Sequence, residues 1–403
     1  MTSPNTYDVT AFVSPTGTSP YSDIGQVINE IISDIKANQT SSTTRPGAVI
    51  YIPPGHYTLL TTVMIDISYL QIKGAGHGFL SQETRDYDSS WNPATWREYN
   101  PGASHVVVGF NNTGPQAAFK VERAGNYKQV GRVSGLEFRD FIIDGAPLEA
   151  HTRPYDTRPH KIGIAIDSPT DSTIISGMCF THTHSGVVTH HADGLMITNN
   201  FICEIGNCIE LYDNPICPKI SNNMLWADWR GYGVLIEGGD SAMISDNHFG
   251  YWGNLKITSH ERGSIIGNKF TSWWPRSINV DVSNQMYIAS NHLYRLKNDR
   301  PSDQVSFYDD DDGILYCNGA RNTIIGNLIA VEIDALIPGS SQLNAIYVDG
   351  GNACLMMNRI LQLGSTLPRL FVPVGSQDAR ILYSCTAAQN AVASPTAYVL
   401  NTP

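Results

Sequence analysis

The stretch SIIGNKF, residues 264–270, packs a β-branched run, a glycine and an asparagine into seven positions, and its pattern returns along the chain. It recurs as LMITNNF (195–201), PKISNNM (218–224), AMISDNHF (242–249), MYIASNHL (286–293), TIIGNLI (323–329) and CLMMNRI (354–360). The aligned asparagines are Asn200, Asn223, Asn247, Asn268, Asn291, Asn327 and Asn358, at separations of 23, 24, 21, 23, 36 and 31 residues. Self-similarity at such a period marks stacked supersecondary units. A repeat of 21 to 24 residues, with short strands on either side of a turn, is the length of one coil of a parallel β-helix. Asparagines stacked at the turns can hydrogen-bond along the axis and tolerate left-handed geometry. The expected fold class is therefore all-β, a parallel β-helix solenoid. The two long intervals hold insertions, KNDRPSDQVSFYDDDD (297–312) and EIDALIPGSSQL (332–343). Loops on one side of a solenoid commonly build its binding face.

Upstream, SDIGQVINEIISDIKANQ (22–39) places Ile24, Val27, Ile28, Ile31, Ile32 and Ile35 at three- and four-residue steps, which predicts one amphipathic helix. Ser22 or Asp23 can cap its start. RPGAVIYIPPGHYTL (45–59) then reads as strand, turn and strand. A helix leading into such a strand resembles the N-terminal cap of pectin-lyase-like right-handed β-helices, where it covers the open end of the core. No linker interrupts the chain. The expected organisation is one β-helix domain over 1–403, with a cap at about 20–60 and a closing segment from about 375. The irregular stretches 81–102 and 144–161 read as loops against the coil.

Composition narrows the function. Hydrophobic residues make up 41% of the chain and charged residues only 16%, with 35 glycines and 22 prolines, as a turn-rich all-β protein requires. A formal charge of −11 repels nucleic acid and anionic membrane surfaces, but is compatible with a neutral sugar. No apolar run approaches the ~20 residues that span a bilayer. The seven cysteines lack zinc-site spacing and read as buried free thiols. No cofactor is implied. The start MTSPNTYDVT does not read as a signal peptide, which leaves secreted and cytoplasmic locations both open.

Each coil has a second strand after its asparagine turn: NCIEL, GVLIE, NLKIT, SINVD, GILYC and AIYVD. Alternation turns Ile209, Leu211, Val234, Ile236, Leu255, Ile257, Ile278 and Val280 inward. Glu210, Leu235, Lys256 and Asn279 then form an outward column, with Glu210 on a solvent-facing surface. Trp226, Trp229, Tyr251, Trp252, Trp273 and Trp274 follow ladder turns and could form an aromatic wall for a sugar or for a second subunit. His182, His184, His190 and His191 precede Glu210 by one coil and lack any fixed metal-ligand spacing, so they read as loop or interface residues.

Several segments in order, SDIGQVINEIISDIK, RPGAVIYIPPGHYTL, SYLQIKGAGHGF, NPGASHVVV and above all EIGNCIEL, resemble the inulin fructotransferase family, which also contains difructose dianhydride III hydrolases. The likeness runs from Tyr7 to about Asn358. It implies a right-handed parallel β-helix, a homotrimer with active sites at subunit boundaries, and a fructo-oligosaccharide ligand. The family uses a carboxylate pair eleven positions apart. Its Glu falls on Glu210, and its Asp falls on Asn199, where this chain carries an amide. An amide lacks the charge and basicity of a carboxylate. A rerouted site needs another acid, for which Asp228, between Trp226 and Trp229, Glu204, and the run from Asp309 and Asp310 to Asp312 are candidates. Lys256 and Asn279 complete the expected substrate-binding set.

Three activities compete at this stage. The first is intramolecular fructosyl transfer releasing a difructose dianhydride from inulin-type chains. The second is hydrolysis of such a dianhydride at the same site. The third is a repurposed or inactive β-helix that binds a sugar or another small molecule, which Asn199 favours. Calcium-dependent polysaccharide lyases share the architecture, but a chain of charge −11 is a poor host for polyanions.

Overall fold

The computed structural model describes residues 5–38, 47–78, 103–110, 116–145, 160–227, 231–251, 253–272, 276–295, 313–331 and 344–362, and four later strands. The chain packs as two units, Met1–Tyr212 with Asp228–Arg230, and Asp213–Ala227 with Gly231–Pro403. Three long parallel sheets, here A, B and C, are visited in that order by successive short strands, and the first unit adds a fourth, parallel sheet of Val133–Ser134, Thr170–Asp171 and Ala192–Asp193. Sheet B begins with Gly55–Leu59, Ser104–Val108, Ile142–Asp144, Cys179–Thr181 and Phe201–Ile205, and in the second unit it runs from Met224–Ala227.

In the first unit, sheet A runs from Thr6–Asp8 through Ala48–Tyr51, Leu70–Lys73, Glu137–Arg139 and Ile174–Ser176 to Met196–Thr198. Its inward column is Ile50, Ile72, Phe138, Ile175 and Ile197, all in register and at most 1% exposed. Sheet C holds Val63–Ile65, Gln116–Val121, Lys161–Ile166, Ser185–His190 and Asn207–Tyr212. Every pair recorded in these sheets is parallel, so each strand returns to the same wall only after a full coil.

The expected helix is Pro20–Asn38, with Ile24, Val27, Ile28, Ile31, Ile32 and Ile35 buried. A kink at Asp23 separates its first turn from the main run, and Asp23, not Ser22, caps that run. Asp23 leaves helical geometry (φ −156°, ψ 90°), and its Oδ1 accepts the amides of Gly25, Leu60 and Thr61 while Oδ2 accepts the Thr61 hydroxyl. One carboxylate thus caps the helix and ties it to the turn that follows the strand Gly55–Leu59. A Cβ on Gly25 would lie 1.8 Å from Thr61 O, so this approach needs glycine. Asp23→Ala is expected to lower stability by about 2–3 kcal/mol, as the loss of a cap and of further charged hydrogen bonds. Asp23→Asn keeps an acceptor and should recover much of it; equal melting temperatures for all three proteins would refute the cap's role.

In the second unit the asparagine ladder stands as expected. Asn223, Asn247, Asn268, Asn291, Asn327 and Asn358 are buried, and the amide of each of the first five donates to the Oδ1 of the next at 2.9–3.0 Å. That same Oδ1 also accepts the backbone N–H of the asparagine before it. In the first unit Asn200 plays the equivalent part, accepting Met178 N and donating to Ile175 O. The residue just before each ladder position is left-handed: Asn199 in the first unit, then Asn222, Asp246, Gly267, Ser290, Gly326 and Met357 in the second.

The inward assignments also hold, since Ile209, Leu211, Val234, Ile236, Leu255, Ile257, Ile278 and Val280 are all 0% exposed. The region beyond 375 adds rungs to the sheets, with Arg380–Tyr383 and Tyr398–Asn401 in sheet A and Gln389–Val392 in sheet C. Both insertions, 297–312 and 332–343, lie outside the described residues except for their flanks. Of the described cysteines, Cys179, Cys203, Cys208 and Cys317 are buried, Cys354 is half-buried and Cys217 is exposed.

Candidate active site

Glu210 stands on the strand Asn207–Tyr212, between the core residues Ile209 and Leu211, so its side chain leaves on the outer face of sheet C. It does not face open solvent as expected: it is only 6% exposed. Its strand pairs with Ser185–His190, in the register Ser185 to Asn207, Val188 to Glu210 and His190 to Tyr212. Between Ser185 and Val188 the alternation breaks. A Cβ on Gly186 would meet Cys208 O at 2.7 Å and the core side chain of Ile202 at 3.2 Å, and Val187 is fully buried too. Two successive residues therefore face the core at this corner, which leaves Ser185 and Val188 together on the outer side.

The consequence is a carboxylate held at both oxygens. The Ser185 hydroxyl donates to Oε1 at 2.5 Å and the Tyr212 hydroxyl donates to Oε2 at 2.6 Å. The Tyr212 ring stacks on His190, with centroids 5.5 Å apart. His184 Nδ1 lies 3.1 Å from Ser185 Oγ, and its ring sits 5.4 Å from that of His160. Cys208, two residues before Glu210, is no competing nucleophile, because burial and then the Glu210 charge push its thiol well above the ordinary range. An oriented, largely covered carboxylate flanked by hydroxyls is equipped to carry protons to and from a hydroxylated ligand.

An inulin fructotransferase (DFA-I-forming) from Arthrobacter globiformis is 41% identical over 388 residues, covering 95% of each chain. The chain belongs to the inulin fructotransferase family. The family description "Right handed beta helix region" matches residues 185–361, and the fold is that right-handed parallel β-helix. The DFA-IIIase of Arthrobacter chlorophenolicus A6 in complex with GF2 is 31% identical, with a TM-score of 0.82 and 94% of both chains covered. The same enzyme without its lid, also with GF2, covers 98% of this chain and 100% of that one, at a TM-score of 0.83. A mannuronan C-5 epimerase A-module from Azotobacter vinelandii, 11% identical with a TM-score of 0.65, shares the fold alone.

Against this family background the remaining candidates separate. Asn199 is exposed and left-handed, at the corner between sheets A and B, and takes no part in the hydrogen bonds of Glu210, which is on sheet C. Its residue type answers to the turn, since short polar side chains and glycine tolerate this conformation. Lys256 and Asn279 are paired in register on the outer face of sheet C in the second unit, partly exposed as expected. Lys256 Nζ lies 5.7 Å from the Tyr232 ring centre, and Asn279 Oδ1 has no hydrogen-bond partner among the described residues. Trp226 is not beside them. It lies on sheet B, edge-on to His248 and close over Gly250. Asp228, Trp229, Trp252, Trp273, Trp274, Asp309 and Asp310 fall outside the described residues.

The histidine group divides in the same way. His184 and His190 border the Glu210 network. His182 is 2% exposed, with Nδ1 2.7 Å from Asp144 Oδ1, and His105 Nε2 lies 3.0 Å from Asp144 Oδ2. Burial opposes the charge of Asp144, but the hydrogen bonds from His105 and His182 outweigh it and hold the carboxyl far below the usual range. His191 is an exposed left-handed turn residue. Sequence reasoning missed Ser185 and Tyr212 altogether. Tyr212, two residues after Glu210, was findable by strand periodicity; Ser185 required knowing how adjacent coils align.

Proposed function

We propose that this chain is a fructan-active enzyme that transfers a fructosyl group intramolecularly, releasing a difructose dianhydride from inulin-type chains. Glu210 is its acid/base group. The observation that carries this reading is the buried, doubly hydrogen-bonded carboxylate on a rigid strand of a chain 41% identical to an inulin fructotransferase. Departure of a fructosyl unit develops positive charge at the anomeric carbon, and the departing oxygen needs a proton. The hydroxyl that closes the ring must lose one. The proton count is therefore unchanged across the reaction, and one carboxylate can serve both ends of the exchange.

The 41% identity to a DFA-I-forming inulin fructotransferase supports transfer over hydrolysis, since the DFA-IIIase is matched at 31%. Lys256 and Asn279 belong to the sugar-binding set in this reading, and the protein assembles as a homotrimer with sites at subunit boundaries. Incubation with inulin and, separately, with difructose dianhydride III, followed by chromatography, tests the assignment. A cyclic difructose from inulin is the expected product. Opening of the dianhydride alone would move the reading to the hydrolase; no change in either sugar would end it.

Asn199 is assigned to the turn and not to proton transfer. Asn199→Asp is expected to leave both the melting temperature and inulin turnover close to wild type, as for a surface substitution within about 0.5 kcal/mol. Asp246 already occupies the equivalent left-handed position in the second unit. A rise of tenfold or more in turnover would show that position 199 reaches the reacting sugar.

A further inference from the structure

Both oxygens of Glu210 are occupied, and the identity of the groups that occupy them carries information. A serine hydroxyl has one hydrogen. Ser185 gives it to Glu210 Oε1, so in the 3.1 Å contact with His184 Nδ1 the imidazole is the donor. Donation therefore runs from His184 to Ser185 to Glu210, while Tyr212 donates to the other oxygen and is itself stacked on His190. We infer that Ser185 and Tyr212 are positioning residues of the transfer reaction, and that His184 acts through Ser185. Together they hold Glu210 in one rotamer and support it in both protonation states.

Resting on the acid/base reading of Glu210, this goes beyond it by assigning the groups that make the carboxylate effective. A glutamate on a bare strand surface keeps its rotamer freedom, and presenting it to a sugar would cost that entropy at each turnover. Two short O–H donors remove the freedom in advance. Their chemistry matters as much as their position. When Glu210 takes the proton of the incoming hydroxyl, the O–H bond of that hydroxyl breaks and a new one forms on a carboxyl oxygen. That oxygen changes from acceptor to donor. A hydroxyl can rotate to accept, whereas a lysine or arginine in its place offers no lone pair. When the proton passes to the departing oxygen, the hydroxyl rotates back. Nothing is oxidised or reduced, and the carboxylate is regenerated.

The test is steady-state kinetics on inulin, with melting temperatures, for Tyr212→Phe, Ser185→Ala, His184→Ala and the double variant Ser185→Ala/His184→Ala. Tyr212→Phe and Ser185→Ala should each lower kcat about 10- to 100-fold, the range expected for one hydrogen bond to a charged group. KM should barely change, since the sugar's own contacts are untouched. His184→Ala should lower kcat when Ser185 is present and add nothing when Ser185 is already alanine. That loss of additivity reports a chain of action which a general loosening of the fold cannot imitate. Wild-type kcat in Tyr212→Phe and Ser185→Ala, with Glu210→Gln inactive, would overturn the inference and spare the function. Effects on KM alone, or full additivity of the His184 and Ser185 changes, would also overturn it. A wild-type protein that leaves inulin untouched overturns the functional reading and this inference with it.

Discussion

Glu210→Gln is expected to reduce the turnover of inulin by about 10²- to 10⁴-fold, the usual contribution of a positioned acid/base group. The substitution is nearly isosteric, so the fold has little reason to respond. Its amide oxygen can still accept from Ser185, and the Tyr212 hydroxyl can turn to accept from the amide nitrogen. What the amide cannot do is take a proton from one sugar oxygen and return it to another. The loss should therefore fall on kcat, while calorimetry continues to detect binding of a fructo-oligosaccharide. Glu210→Asp keeps the charge but draws the carboxylate back by one carbon, away from both donors. It should fall between wild type and the glutamine variant. Retention of more than about a tenth of wild-type turnover by Glu210→Gln would remove Glu210 from proton transfer.

How far the chain could be read in advance depends on which interactions are periodic. The coil length, the inward columns and the buried asparagines all repeat, and repetition is visible in one dimension. The pair Asn199 and Asn200 marks the limit of that visibility. Two identical residues stand side by side; one is buried and bonded to Ile175 and Met178, the other exposed in a left-handed turn. Resemblance to the family drew attention to Asn199 as a lost acid, yet the column of turn residues gives its amide a local reason. Alternation turns Glu210 outward and the resemblance to the family singles it out as an acid, but its burial is legible in neither. The broken alternation at Gly186 and the reach of Ser185 across strands come from the stacking of one coil on another. Which wall a candidate joins is also a matter of stacking: the strand of Trp226 belongs to sheet B and that of Lys256 to sheet C.

Breaking the ladder should be the costliest change to stability, and Asn268 is the position at which to do it. Its Oδ1 receives both the backbone and the side-chain N–H of Asn247, and its amide donates to Ile244 O and to Asn291 Oδ1. The residue is 1% exposed, so no water can take over these bonds. Asn268→Ala leaves the Asn247 backbone N–H unmet, at about 1–3 kcal/mol when buried, and removes the side-chain bonds with Asn247, Ile244 O and Asn291 at about 1 kcal/mol each, for a total of roughly 3–5 kcal/mol. Asn268→Asp should be worse still. It keeps the acceptor but replaces the donor with an oxygen facing two others, and buries a charge with no cation to meet it. Gly267, its neighbour in the turn, provides the contrast: Gly267→Asn keeps a residue suited to the left-handed position, displaces only the carboxylate tip of Asp246, which would stand 2.8 Å from the new Cβ, and should cost about 1 kcal/mol. Urea unfolding of the three variants would rank them, with Asn268→Asp lowest and Gly267→Asn close to wild type. If alanine at 268 were as stable as wild type, stacked side-chain amides would not be what holds successive coils in register, and the apolar columns alone would have to explain it.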